Sequence, residues 1–177
     1  MSHGEIVTVF GTGRAQPGEP AFILAEEVGR ALALAGFAIA NGGYGGTMYA
    51  AAKGAAEAGG TVIGVTCRAF KNSAANEFVT REVVTDSLEE RLHNLVEIGQ
   101  AYVVLPGGTG TLLELATVWE LKNKGFLDRT RPVILVGEFW RPLVDLVAND
   151  DPKCVKYVTF VQEPGQVPEV VKNALGL

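Results

Sequence analysis

Residues 101–124, AYVVLPGGTGTLLELATVWELKNK, join a continuous apolar run to a glycine-rich turn and then to a helical pattern. The apolar run, Ala101–Leu105, shows no in–out alternation, which is typical of a strand buried on both faces of a parallel sheet. Pro106–Gly110 predicts a turn, and the spacing of apolar residues after it predicts a helix from Thr111 to about Lys124. This strand–turn–helix unit is the building block of parallel α/β folds.

Short apolar strands and helical patterns continue to alternate on both sides of this unit. The other predicted strands are Ile6–Phe10, Phe37–Ala40, Thr61–Thr66, Glu82–Thr85, Pro132–Val136 and Thr159–Val161. The other predicted helices are Pro20–Ala35, Thr47–Ala58, a helix capped by Asp86 or Ser87 that ends at Ile98, Phe139–Val147 and Val167–Leu175, while 68–80 is predicted as a loop. Right-handed crossovers then give an α/β fold, a Rossmann-like doubly wound parallel sheet in a three-layer α/β/α sandwich. We expect residues 1–177 to form a single nucleotide-binding domain.

The charge balance and the length of the apolar runs limit the class of partner. The 177-residue chain has 15 Lys and Arg against 20 Asp and Glu, a net charge of −5. A surface that neutralises many phosphates needs clustered Lys and Arg, so no nucleic-acid polymer is expected as a partner. The longest apolar run, Ala31–Ala40, is too short to span a bilayer, and the N-terminal residues lack the basic region of a signal peptide. We expect a cytoplasmic protein with no membrane partner.

Signals for a metal or a familiar cofactor are missing from the sequence. Cys67 and Cys154 lie far apart and fit no metal-ligand spacing, so they are interpreted as reduced cysteines. The remaining groups considered for catalysis lack suitable partners or sequence context: His3, His93, Ser73 and Ser87. The turns contain no Walker loop, and Gly11–Gln16 lacks the third glycine of a dinucleotide fingerprint, so NAD is not predicted. We expect neither a metal nor a cofactor.

Three glycine-rich turns follow predicted strands and should lie at the carboxyl edge of the sheet, where doubly wound folds bind ligands. They are Gly11–Gly18, Asn41–Gly46 and Pro106–Gly110. Glycine lets the backbone approach a ligand closely, and a helix N-terminus offers free N–H groups and a positive dipole end to an anion. The predicted partner is therefore a small phosphorylated ligand. The residues predicted to bind its phosphate or nucleotide are Gly11, Thr12, Gly42, Gly43, Gly46, Thr47, Met48, Gly107, Gly108, Thr109, Gly110 and Thr111.

Arg91 and Glu114 are the candidate catalytic residues. Arg91 lies in the helix after the fourth predicted strand, and Glu114 lies in the helix after the fifth. If those strands are neighbours, as sequential parallel strands often are, both side chains reach one pocket. There they would orient a sugar phosphate and stabilise positive charge at its anomeric carbon. Two alternatives stay open: Thr111–Glu114 is itself a capping box that only closes its own helix, and Arg91 is an ordinary surface arginine.

The string PGGTGTLLE at Pro106–Glu114 matches the motif PGGxGTxxE, so the chain resembles the LOG ("lonely guy") family, often labelled "possible lysine decarboxylase". Gly42–Met48 resembles the family segment GGGxxGLMG, and Arg91 lies where the family has an Arg-Lys pair. The likeness runs from about Val7 to Val147. It implies a phosphoribohydrolase that cuts the N-glycosidic bond of a nucleoside 5′-monophosphate, a cytokinin riboside monophosphate or an AMP-like nucleotide, to free base and ribose 5-phosphate.

The resemblance also assigns roles to individual residues. Glu114 would hold the ribose hydroxyls or support water attack and the oxocarbenium-like state, Arg91 would position the nucleotide, and residues 107–111 would hold the phosphate. Members of the family form dimers, so we expect a homo-oligomer by analogy. A lysine decarboxylase is not expected, because no lysine marks a pyridoxal-phosphate site.

Four positions depart from the family pattern. Leu92 replaces the lysine after the arginine, Leu113 replaces an acidic residue before the glutamate, and Asn41 and Tyr49 stand in place of glycines. The departures also resemble a sister group, the molybdenum-cofactor carrier proteins, which bind a phosphorylated pterin without transforming it. A non-catalytic carrier or sensor of a phosphorylated small molecule is therefore the alternative function, and an oligomeric scaffold that has lost its ligand is a third.

Overall fold

Strands and helices alternate in a computed structural model that describes residues 4–71 and 74–177. His3 and Ser73, which the sequence excluded as catalytic groups, lie outside the described residues. The strands are β1 (Ile6–Phe10), β2 (Ala38–Asn41), β3 (Val62–Cys67), β4 (Arg81–Thr85), β5 (Ala101–Val104), β6 (Val133–Val136) and β7 (Thr159–Val161). The helices are α1 (Pro20–Leu34), α2 (Thr47–Glu57), α3 (Leu88–Ile98), α4 (Thr109–Asn123), α5 (Arg141–Ala148) and α6 (Val167–Leu175), with short 3-10 helices at Cys154–Tyr157 and Pro164–Gln166.

Within the described residues, seven strands form one parallel sheet in the order β4-β3-β2-β1-β5-β6-β7. Strand β1 pairs on both sides, so that Thr8 stands opposite Ala40 of β2 and opposite Tyr102 of β5. The first four strands extend the sheet in one direction, and β5 begins its extension in the other. This doubly wound order confirms the predicted Rossmann-like fold and places its switch point between β1 and β5.

The expectation that the fourth and fifth strands are neighbours is wrong. Strand β4 is an edge strand, and three strands separate it from β5. Helix α3 connects the two by crossing back over the sheet, because its buried residues Leu95 and Val96 join the core cluster that contains Phe10 and Tyr102. The same crossing carries Arg91 away from the edge and toward the switch point.

Apolar side chains cover both faces of the sheet and produce the three layers. One cluster packs against α1, α2 and α6 and includes the fully buried Leu32, while the other packs against α3, α4 and α5 and includes Leu95. Every residue of β3, β5 and β6 is buried, which accounts for their continuous apolar sequences. In the part of the chain that is described, no helix has the length and apolar character to cross a membrane.

The helix starts at the glycine turns differ from the sequence prediction. Helix α4 begins at Thr109 with Gly108 as its N-cap and without a side-chain cap. The predicted capping box from Thr111 to Glu114 is therefore wrong, because both residues lie inside the helix and Glu114 lies in its second turn. Ser87, by contrast, caps α3 as predicted, since its side chain accepts a hydrogen bond from the Glu90 N–H at 3.1 Å.

Candidate functional site

A cleft of about 900 Å³ opens at the carboxyl edge of the sheet, over the switch point between β1 and β5. It is lined by the loop after β1, the turn after β5 and the first turns of α3 and α4, and it contains both Arg91 and Glu114. Its volume lies in the range of small-molecule sites. A smaller cavity of about 390 Å³ lies between α4 and α5, but none of the sequence-predicted site residues lines it.

The turn after β5 presents the N-terminus of α4 to the cleft. All five residues of Gly107–Thr111 line it. The N–H groups of Thr109, Gly110 and Thr111 precede the first intrahelical bond, which the Leu112 N–H donates to Gly108 O at 2.9 Å. Helix α4 thus places three N–H groups without intrahelical acceptors, and the positive end of its dipole, beside the cleft.

A close contact at Gly107 fixes the shape of this turn. A β-carbon at position 107 would collide with Oγ1 of Thr111, a residue that is itself almost fully buried. Only glycine therefore fits, because the Thr111 side chain occupies the space that any other residue would need.

The turn after β2 is braced against the loop after β1. The N–H and the hydroxyl of Thr47 both donate to the carbonyl oxygen of Thr12, at 2.8 and 3.0 Å. The first N–H of α2 is therefore already hydrogen-bonded within the protein.

The structure places four of the predicted ligand-binding residues beside the cleft but outside its lining: Gly42, Gly43, Gly46 and Thr47. Met48, from the same segment, does line the cleft.

Two asparagines hold the Asn41–Gly46 turn in shape. Asn41, which departs from the family's glycine, accepts from the Gly43 N–H at 2.8 Å and donates to Met48 O at 3.0 Å. Asn76 reaches in from the loop before β4, and its Nδ2 donates to the carbonyls of Gly43 and Tyr44 at 3.1 and 2.9 Å. Hydrogen bonds within the protein itself therefore hold this turn in a defined conformation.

The loop after β1 supplies the opposite wall. Gly11 and Thr12, both predicted, line the cleft together with Gly13 and Arg14. Arg14 is exposed and adds a second positive charge to that of Arg91. Sequence reasoning missed Arg14, although its position in a glycine-rich turn at the carboxyl edge was a sufficient signal.

Arg91 is buried at the floor of the cleft, with 7% of its surface exposed, so the surface-arginine alternative is wrong. Its Nε donates to Val65 O of β3 at 2.8 Å. Gly42 lies against the guanidinium, and a β-carbon there would collide with Nη2. None of the ion pairs among residues 4–71 and 74–177 includes Arg91. Its positive charge is therefore not neutralised by a contacting carboxylate.

Glu114 is half-buried in the cleft, one helical turn beyond the N-terminus of α4. Burial raises the pKa of its carboxyl to about 7, and the positive charge of Arg91 offsets only part of that increase. A carboxyl group with a pKa near 7 exchanges a proton readily at neutral pH, which is the property of a general acid or base.

Aromatic and aliphatic side chains that sequence reasoning missed complete the lining: Tyr44, Phe70, Leu88 and Phe139. Each aromatic residue follows the end of a strand, and that position was a usable signal because strand ends meet at this edge. The remaining departures from the family pattern lie outside the lining. Leu92 packs on the core below α3, and the Tyr49 hydroxyl donates to Glu77 at 2.8 Å.

Comparisons with known proteins relate the chain to both function classes raised by the sequence. The sequence model of the SLOG cluster4 family matches residues 5–160. A "cytokinin riboside 5′-monophosphate phosphoribohydrolase" of Rhodococcoides fascians is 32% identical over 129 residues, 71% of this chain and 65% of that protein. A protein of the same name from Mycobacterium tuberculosis is 34% identical over 116 residues, 64% of this chain and 60% of that protein. The chain thus spans less than two thirds of either relative.

The comparison with solved structures finds a protein of the carrier class. The molybdenum cofactor binding protein from the phototrophic bacterium Rippkaea orientalis superposes with a TM-score of 0.79 and is 26% identical. The superposition covers 98% of both chains. The relatives found by sequence and the neighbour found by structure thus have names of different function classes, although they share one fold.

Proposed function

Because this chain belongs to the SLOG cluster4 family, which confirms the resemblance to LOG proteins, we propose that it is a nucleoside 5′-monophosphate N-glycosidase. It would release a free base and ribose 5-phosphate. The observation that carries the proposal is Glu114, which lies in the cleft with a pKa of about 7, near a buried arginine and the N-terminus of a helix. The names of the two curated relatives support the same reaction class.

The phosphate is assigned to the turn at Gly107–Thr111. Free N–H groups and the helix dipole at the start of α4 favour a dianion there. Gly11 and Thr12 form the facing wall, and Arg14 adds positive charge at the entrance. The sugar then lies next along α4, beside Glu114. This assignment leaves Gly42, Gly43, Gly46 and Thr47 as residues that shape the wall rather than ligands of the phosphate.

Cleavage of an N-glycosidic bond passes through a sugar with oxocarbenium character, so negative charge beside the ring lowers the barrier. Ionised Glu114 supplies that charge and accepts a proton from the attacking water. The water oxygen adds to C1′, and the C1′–N bond breaks with its electron pair passing to the base. The proton held by Glu114 then passes to the leaving base. Arg91 keeps its charge throughout and positions the nucleotide.

A carrier or sensor of a phosphorylated small molecule is the second candidate. The similarity to a molybdenum cofactor binding protein over 98% of both chains favours it. Leu92 and Leu113 favour it too, because they replace charged residues of the phosphoribohydrolase pattern. It predicts tight binding without turnover.

The proposal keeps the remaining expectations from the sequence and from the family resemblance. The base is that of a cytokinin riboside monophosphate or an AMP-like nucleotide. The protein is cytoplasmic, forms a homo-oligomer and has no lysine decarboxylase activity.

Release of free base from AMP and from an N6-substituted AMP tests the proposal in the wild type, Glu114→Gln and Glu120→Gln. Glu120 is the matched control, since it lies on the same helix with its side chain 58% exposed. We expect Glu114→Gln to lower kcat by about 10²- to 10⁴-fold, with the Kd for AMP retained and with Glu120→Gln unchanged. Base release at equal rates by the wild type and by Glu114→Gln would refute the catalytic role of Glu114. Binding without base release from any nucleotide would instead support the carrier.

A further inference from the structure

Two aromatic side chains form one end of the cleft. Phe70 lies in the turn after β3 and Tyr44 in the turn after β2, and their ring centres are 5.9 Å apart. Both residues line the cleft, and 37% of the Phe70 surface remains exposed. The Arg91 guanidinium carbon lies 5.4 Å from the centre of the Tyr44 ring and 5.6 Å from that of Phe70. These contacts fix the two rings relative to the charge at the floor.

This aromatic end lies away from the phosphate turn. Tyr44 and Phe70 follow β2 and β3, on one side of β1, whereas the phosphate turn follows β5, on its other side. Glu114 is about 7.5 Å along the axis of α4 from its first residue, and the two rings lie against Arg91. The order of helix N-terminus, carboxylate, guanidinium and aromatic rings matches the order of phosphate, sugar and base in a nucleotide. Phe139 lies at the other end, because the adjacent Trp140 donates its Nε1–H to Leu105 O just before the phosphate turn, at 3.0 Å.

Few side chains at the aromatic end are able to hydrogen-bond the edge of a base. The Tyr44 hydroxyl accepts from the Cys67 N–H at 2.7 Å, so it is engaged with the backbone of β3. Met48 and Leu88 add apolar surface. Of the described side chains at this end, only Arg91 keeps free donors, on its two Nη atoms, because its Nε is bonded to Val65 O.

We propose that Phe70 and Tyr44 form the subsite for the base and hold it by stacking rather than by hydrogen bonds to its edge. This inference rests on the proposed function. Every nucleobase has a π face, so an aromatic platform accepts them all. A site that selects by apolar contact discriminates by only about 10- to 200-fold, whereas a site that reads hydrogen bonds reaches 10⁴-fold or more. The substrate class is therefore nucleoside 5′-monophosphates with different bases, including N6-substituted adenines.

Binding of AMP and of ribose 5-phosphate, which lacks a base, isolates this subsite. Both Kd values are measured by calorimetry in a Glu114→Gln background, with Phe70→Ala, Phe70→Leu, Phe70→Tyr and Phe139→Ala added in turn. We expect Phe70→Ala and Phe70→Leu to weaken AMP binding by about 5- to 100-fold and to leave ribose 5-phosphate binding unchanged. Phe70→Tyr retains the affinity. If Phe139→Ala alone weakens AMP selectively, or if Phe70→Ala weakens both ligands equally, the assignment is overturned.

Turnover of AMP, GMP, CMP and UMP by the wild type provides the second readout. The proposal expects kcat/KM values within about 200-fold of one another, with purines ahead of pyrimidines because they stack over more area. A preference of 10⁴-fold or more for a single base would overturn it. If no nucleotide is hydrolysed, the N-glycosidase proposal fails on its own, while the comparison of AMP with ribose 5-phosphate still decides whether Phe70 binds the base.

Discussion

Replacing Glu114 with glutamine should raise the stability of the protein while it removes the proposed activity. Burial raises the pKa of Glu114 from 4.5 to about 7. Between these pH values the folded protein therefore holds a proton that the unfolded chain has lost. The free energy of unfolding of the wild type falls as pH rises through this window, and a full shift of this size corresponds to about 3 kcal/mol above pH 7.

Glutamine has no proton to lose, so the free energy of unfolding of the variant does not fall through this pH window. Because water screens part of the effect at a half-buried group, we expect Glu114→Gln to be more stable than the wild type by about 1–3 kcal/mol at pH 8. The difference should shrink to less than about 1 kcal/mol at pH 5, where the folded carboxyl is protonated.

Urea unfolding followed by the fluorescence of the two buried tryptophans, Trp119 and Trp140, measures this difference from pH 5 to pH 8. Glu120→Gln is the control, since an exposed ion pair is worth at most about 1 kcal/mol and Glu120 faces Lys124 at the surface. A Glu114→Gln protein that is less stable than the wild type at pH 8 would refute the reasoning. A stability difference that does not grow with pH would also refute it, because the pKa of Glu114 would then be the same in the folded protein and in the unfolded chain.

Three further predictions follow from the same geometry. The kcat/KM for base release should fall about tenfold per pH unit below pH 7 as Glu114 becomes protonated, and a flat profile from pH 5 to pH 8 would contradict its role. Gly107→Ala should weaken ribose 5-phosphate binding by about tenfold or more, because the new methyl group displaces Thr111 and the N–H groups beside it; unchanged binding would show that the phosphate lies elsewhere. Leu95→Ala, in the core below α3, should lower the free energy of unfolding by about 2–5 kcal/mol, and a loss below 1 kcal/mol in urea titrations would contradict the packing described.

The sequence predicted the elements of the fold because each buried strand carries its own signal. Continuous apolar runs such as Ala101–Val104 are stable only between two covered faces, so their class follows from local composition. The order of the strands was less accessible. Whether β5 pairs with β4 or with β1 depends on which core residues Leu95 and Val96 of α3 pack against. These packing contacts join residues that are far apart in the sequence, so local composition does not predict them.

In the candidate site, too, features with a local sequence signal were predicted, whereas features set by long-range contacts were not. The turn at Gly107–Thr111 was identified from sequence alone, and the structure places it in the cleft. The role of Thr47 was not predictable, because its N–H is taken by a carbonyl of Thr12, 35 residues away in sequence. The aromatic end was missed for a related reason. Tyr44 and Phe70 come from two different loops after strand ends, and only the folded chain shows that both rings lie against Arg91.

The confinement of Arg91 affects how tightly a ligand is held. An arginine side chain loses up to about 2 kcal/mol of rotamer entropy when it is immobilised. Here the Val65 carbonyl, two rings and the backbone at Gly42 immobilise it through contacts within the protein itself. That entropic loss therefore occurs once, during folding, and is not repeated at each encounter with a ligand. The electric field in the cleft is already oriented when the ligand enters, so more of the interaction energy remains as affinity.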